Sequence, residues 1–205
     1  MNCSFVGMNY LGHAYLSFDS PEILVGNMIP DFVKGSAKFS FSGNIQKGIA
    51  LHRMIDEFTD GHIATKKAQE IFRAHYRLYS GPIMDILYDH FLANDISVFN
   101  DASLKKFSTR TYTQLEQQHS HLPDRFQHVL LYMRTENWLY NYRHEDGIRK
   151  SLQGLARRAA YIAESDTAFQ LFLDNYSLLE EYYHQFFKDV KLYAKQKFKD
   201  LLNQD

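Results

Sequence analysis

The chain has 205 residues, 45% of them apolar, enough for one domain with a sizeable core. Its 23 basic and 24 acidic residues leave a formal net charge of −1, which argues against bulk attraction to nucleic acid. The single cysteine, Cys3, excludes an internal disulfide framework and a Cys-rich zinc site, and fits a reducing compartment.

No run approaches the roughly 18 apolar residues of a membrane span, and no charged segment leads into an apolar run at the N-terminus. Neither a span nor a signal peptide is expected, and the expected location is the cytoplasm. The four prolines, Pro21, Pro30, Pro82 and Pro123, all fit helix starts or connections, which predicts a mostly helical chain. With 16 Phe and 14 Tyr, its core should be rich in rings.

Residues 1–7 carry little pattern and read as an extension, with Met8 an equally good start and the domain spanning 8–205. A short helix is predicted over Asn9–Ser17. Ser20 and Pro21 look like a cap and first position of a second helix running to Met28, disturbed by Pro30. Residues 36–43 read as a loop. A helix begins near Asn44 and carries the stretch from Gly48 to His62.

Further helices are predicted at Ile63–Tyr79, Ile83–Phe99, Leu104–Gln118, Pro123–Tyr142 and Glu145–Glu164. From Thr167, the series Phe172, Tyr176, Leu179, Tyr183, Phe186, Val190, Tyr193 steps by fours and threes. That is the seam of a long helix lying along a bundle, or of a coiled-coil dimer, with Lys188, Lys191, Lys195, Lys197 and Lys199 outside. No strand alternation stands out. The reading is all-α, a single-domain helical bundle of seven or eight helices.

On the helix from Asn44, His52, Asp56 and Asp60 recur every four residues and so share one stripe, while Ile49, Met54, Ile55 and Phe58 supply packing. Such a stripe is costly to bury without a partner, and either a metal ion or solvent would serve. Asp85, Asp89 and His90 form a second polar set on an otherwise apolar helix. Asp31 follows Pro30, and His13 sits on an apolar segment. Taken singly, His13 reads as a hydrogen-bonded core histidine, Asp31 as a turn or helix cap, and Asp56 with Arg53 or Asp60 with Lys66 as surface pairs. Together they read as a helical His/Asp site for Mn²⁺, Fe²⁺, Mg²⁺ or Zn²⁺. No Gly-rich phosphate loop and no G-x-S-x-G elbow is present.

Four separated blocks stand in order: Asn9-Tyr10-Leu11-Gly12-His13; Gly26-Asn27 with Asp31-Phe32-Val33-Lys34-Gly35; Gly48 with His52-Arg53, Ile55-Asp56 and Thr59-Asp60; and Asp85 with Asp89-His90-Phe91-Leu92. This order resembles the acyl carrier protein phosphodiesterases, most densely over residues 8–95. The resemblance implies an all-helical fold that is a divergent relative of the HD-domain phosphohydrolases. It implies hydrolysis of the phosphodiester between 4′-phosphopantetheine and a serine of holo acyl carrier protein, with 4′-phosphopantetheine leaving and a divalent cation, typically Mn²⁺, required.

Carried over by position, Asp31, His52, Asp89 and His90 would hold the metal, and Arg53 would clamp the phosphate. Asp56 joins Asp31, His52, Arg53 and Asp89 in the reacting set. His13, Asn27, Asp60 and Asp85 would orient ligands or water. Some family members have a histidine where this chain has Tyr15. Carrier proteins are acidic, so Lys34, Lys38, Lys47, Lys66, Lys67, Arg73 and Arg77 are candidates for a docking surface. The residues alone leave two alternatives: a phosphohydrolase acting on another phosphodiester, or a non-catalytic helical protein that binds a carrier.

Overall fold

The structure, a computed structural model, describes residues 10–203. The extension read at 1–7, and Asn9 at the start of the first predicted helix, lie outside the described residues. The helices in chain order are α1 (Tyr10–Tyr15), α2 (Pro21–Met28), α3 (Gly43–Gly61), α4 (Ile63–Tyr76), α5 (Ser80–Asn94) and α6 (Asp101–Gln117). They continue with α7 (Asp124–Thr135), α8 (Trp138–Asn141), α9 (Glu145–Arg158), α10 (Asp166–Asp174) and α11 (Tyr176–Leu202). Short 3-10 turns at Pro30–Phe32 and Gly35–Ser40 lie between α2 and α3. No strand occurs among the described residues, and the fold is an all-α single domain.

The described residues hold eleven helices, more than the predicted seven or eight, and two predicted helices are each broken once. Asn137 adopts a left-handed conformation, φ 47°, which separates α7 from α8. Asn175 donates its side-chain amide to the Leu171 carbonyl and closes α10 before α11 begins. Both breaks leave the hydrophobic spacing intact, so spacing alone does not reveal them. α5 also starts and stops earlier than predicted, and α9 ends at Arg158.

α5 is the buried centre. Eleven of its fifteen residues are buried, which requires neighbours on every side, and α1, α4, α9 and α11 pack against it. The long α11 lies along α3 and α4, as a helix lying along a bundle would, with Leu179, Tyr183, Phe186 and Val190 buried and Tyr193 stacked on Phe58. No helix among the described residues is long and apolar enough to cross a membrane.

The tightest crossing joins α2 to α3. A Cβ on Gly26 would stand 2.1 Å from the Ile45 carbonyl oxygen and 2.7 Å from the Gly48 Cα. A Cβ on Gly48 would stand 2.5 Å from the Ile23 carbonyl oxygen. Two glycines therefore let the helix backbones touch. The contact sets Asn27, next to Gly26, against His52, one turn beyond Gly48.

Candidate metal centre

The centre is built from three helices. α1, with six residues, is too short to hold itself, and a side chain from α5 anchors its first turn. Asp89 Oδ2 accepts the Leu11 N–H at 3.0 Å and Oδ1 accepts the Gly12 N–H at 2.8 Å. Negative charge at a helix start is favourable, and these bonds satisfy two donors that the helix itself leaves unpaired.

Anchored in this way, α1 presents His13, which is 2% exposed. Its Nδ1 lies 2.8 Å from Asn27 Oδ1. Asn27, fully buried on α2, donates its amide to the His13 carbonyl at 2.8 Å and to Ser17 Oγ at 3.1 Å, which fixes its carbonyl oxygen toward the ring. The backbone carbonyl of the same Asn27 lies 2.8 Å from His52 Nδ1 on α3. Both Nδ1 atoms therefore donate to carbonyl oxygens, and both neutral rings turn an Nε2 lone pair outward.

Those lone pairs meet at Asp56. His13 Nε2 is 3.1 Å from Asp56 Oδ1, His52 Nε2 is 3.0 Å from Oδ2, and the two rings stack. One atom from each of the three side chains lies within 4.8 Å of the others. The approach at His13 lacks hydrogen-bond alignment, and its Nε2 is buried without a hydrogen-bond partner. Two lone pairs and a carboxylate facing one another repel unless a cation or a proton stands among them. An N, N, O donor set suits Mn²⁺, Fe²⁺ or Zn²⁺, so these residues fit a divalent ion.

Without such an ion, protons are shared unequally. Burial, then the neighbouring His52, lowers His13. Burial also acts to lower His52, but its bond to Asp56 and the Asp56 charge outweigh this and leave it raised. Burial acts to raise Asp56, and the two histidines overcome it, holding the carboxyl far below its usual range.

Further acids surround the three. Asp31, on the Pro30–Phe32 turn, is pushed up to about 6, mainly by burial, with His52 opposing and Asp56 adding. Asp85, one turn before Asp89 on α5, is raised well above the usual carboxylate range by burial and then by Asp56, Asp60, Asp89 and Asp31. Asp60 is exposed one turn beyond Asp56, and burial followed by the Asp56 charge raises it. Arg53 is exposed beside His52 on α3.

The structure thus brings His52, Asp56, His13 and Asn27 into one group, with Asp31 and Asp85 in electrostatic reach. It does not bring His90 there. His90 Nδ1 lies 2.8 Å from the Tyr142 carbonyl and Nε2 lies 3.1 Å from the Tyr176 hydroxyl, with the ring set edge-on to Phe172. One step along a helix turns a side chain by about 100°, so His90 faces the aromatic core, and burial lowers it to about 4. Asp89 differs from its predicted ligand position as well, since both its oxygens are engaged by α1.

The sequence reading gives His13 a supporting position, and the structure sets its ring on that of His52 with both Nε2 atoms toward Asp56. Its local pattern is that of any core histidine, and only the crossing with Asn27 distinguishes it. Tyr15 packs against Phe99, Phe107 and Phe187, away from His13, so the departure at that position does not reach the group.

Comparison with known proteins identifies the family. A family model described as acyl carrier protein phosphodiesterase matches residues 8–190. Among similar curated proteins, each named acyl carrier protein phosphodiesterase, that of Pectobacterium atrosepticum is 32% identical over 180 residues, covering 87% of this chain and 90% of the relative. That of Yersinia pestis is 32% identical and that of Escherichia coli 33% identical, each covering 93% of this chain and 99% of the relative. No solved structure matches the chain. A match that runs from α1 into α11, with full-length relatives of that identity, means that the chain belongs to the acyl carrier protein phosphodiesterase family.

Proposed function

We propose that this protein is a cytoplasmic, metal-dependent phosphodiesterase that cleaves 4′-phosphopantetheine from holo acyl carrier protein, releasing 4′-phosphopantetheine and apo carrier protein. Mn²⁺ is the proposed ion, with Mg²⁺ or Fe²⁺ as substitutes, and kinship with the HD-domain hydrolases belongs to the same reading. The observation that carries it is the convergence of His13, His52 and Asp56, with the His13 Nε2 buried and lacking a hydrogen-bond partner.

These three side chains would hold the ion, with Asp31 on the Pro30–Phe32 turn and Asp85 on α5 in electrostatic reach. When bound, a divalent ion supplies Lewis acidity to phosphoryl oxygens and lowers the pKa of water. The chain's own part is orientation. Asn27 fixes both imidazoles, which is the usual role of groups behind metal ligands. Arg53, exposed beside His52, is the proposed clamp on the phosphate, because a guanidinium matches two phosphate oxygens. Lys34, exposed three residues beyond Asp31, is proposed to face the acidic carrier.

The test is to incubate the protein with holo acyl carrier protein and Mn²⁺ and weigh the carrier. Loss of the phosphopantetheine mass is expected, and no loss with Mn²⁺, Mg²⁺ or Fe²⁺ would remove this substrate. Arg53→Ala should raise KM for the carrier, while His52→Ala should abolish turnover with the fold intact.

A further inference from the structure

A cavity of about 520 Å³ lies at α8 and α9, outside the group just described. Trp138 and Tyr142 supply aromatic wall, Asn141, Ser151 and Gln153 supply amide and hydroxyl groups, and Arg158 lies on the same lining. The Arg158 guanidinium lies over Gly154, 3.2 Å from where a Cβ would stand. Its volume falls inside the roughly 300–1,000 Å³ range of pockets that bury small organic ligands.

The cavity wall meets α1 at Tyr10. The Tyr10 ring packs on Trp138, 6.5 Å between centroids, and on Phe126, which packs in turn on Phe32 beside Asp31. Tyr10 opens α1, and His13 is about one turn further along. Its hydroxyl is buried without a hydrogen-bond partner and feels the charges of both Asp31 and Arg158. A buried hydroxyl left unpaired is destabilising, and an acceptor brought to it would relieve that.

We propose that this cavity receives the linear, amide-bearing pantetheine arm of the substrate, with its phosphate end toward Asp31. The inference rests on the phosphodiesterase reading and specifies where the leaving portion of that substrate lies. The aromatic walls suit the methyl-bearing part of such an arm, and Asn141, Ser151 and Gln153 offer donors and acceptors to its amides. The Tyr10 hydroxyl, buried without a hydrogen-bond partner behind Trp138, would be the donor that the phosphate end of the arm recruits.

Pantetheine itself, which has no phosphate and does not need the metal-binding group, is the probe. Ligand-observed NMR should detect its binding to the wild-type protein. Ser151→Trp, which fills the cavity, should weaken that binding at least ten-fold and raise KM for holo carrier protein by a similar factor, with Mn²⁺ binding retained. Gln153→Trp, at an exposed wall position, gives the same readout should Ser151→Trp fail to fold.

The proposal is overturned if pantetheine at millimolar concentration does not bind the wild type, or if the folded Trp variants bind it as the wild type does. A wild type that binds pantetheine in this cavity yet never cleaves holo carrier protein would overturn the enzymatic reading and retain the pocket.

Discussion

His13 and His52 lie ring on ring, 4.0 Å between centroids and 19° between planes, on different helices. Parallel imidazoles whose Nε2 atoms share one carboxylate make a two-nitrogen, one-oxygen face. Mn²⁺ at a hundred times its Kd should add about 2.7 kcal/mol of stability, seen as a melting point about 5 °C or more higher. His13→Ala and Asp56→Ala should each lose most of that rise. Treatment with a chelator should stop hydrolysis, and Mn²⁺ should restore it. A wild-type melting point indifferent to every divalent ion tested would count against the centre.

Asn27→Ala removes the partner of the His13 ring but keeps the backbone carbonyl that His52 uses. Metal affinity should fall about 10–100-fold, the usual cost of losing such a partner. Isothermal titration with Mn²⁺ measures it, and an unchanged affinity would show that the ring is held by packing alone.

Asp89 separates anchoring from ligation. Asp89→Ala strips both acceptors from α1 and should cost about 1–3 kcal/mol in urea unfolding for the buried donors left unpaired. Asp89→Asn keeps one carbonyl acceptor and should retain Mn²⁺ affinity to within a few-fold. Complete loss of affinity in Asp89→Asn, with the fold preserved, would mean that Asp89 itself ligates the ion.

The α2–α3 crossing should not tolerate a methyl group. Gly26→Ala places Cβ 2.1 Å from a carbonyl oxygen and should cost at least about 3 kcal/mol, the upper end of overpacking. Gly61→Ala meets nothing within 4 Å and should be neutral or stabilising by about 0.5 kcal/mol. Chemical denaturation of the pair gives the contrast, and similar costs would refute the close contact.

Asp95 gives a pH dependence. Burial acts to raise its carboxyl, but the Ser97 hydroxyl and N–H and the Tyr183 hydroxyl outweigh it and leave it lowered. A lowered carboxyl stabilises the fold above its unfolded pKa of about 3.9 and loses that contribution as the pH falls through the folded value. Between pH 5 and 3 the wild type should lose more stability than Asp95→Asn. Equal losses would mean that the carboxyl contributes nothing.

The sequence made the helical class, the α3 stripe and the bundle-hugging α11 legible because each is written in hydrophobic spacing. Ile49 and Ile55 are buried, and Met54 and Phe58 pack against the core, as the spacing of α3 requires. Spacing says less about which polar residues meet. Asp89 and His90 are neighbours in sequence, yet one faces α1 and the other Tyr142 and Tyr176. Two residues with equal claims to a site were thus separated by helix rotation. His13 joined His52 through the contact of Gly26 with Gly48, which no local window contains.

Asn27 offers its side-chain oxygen to one imidazole and its main-chain oxygen to the other. The two rings therefore share a single brace, set in a helix that cannot slide because its backbone already touches the next. Most of the entropy of arranging a chelate is thus met when the chain folds, and an arriving ion would encounter a rigid jaw. Tuning for a different ion would have to begin at the third arm, Asp56, whose carboxylate is 46% exposed and free of that brace.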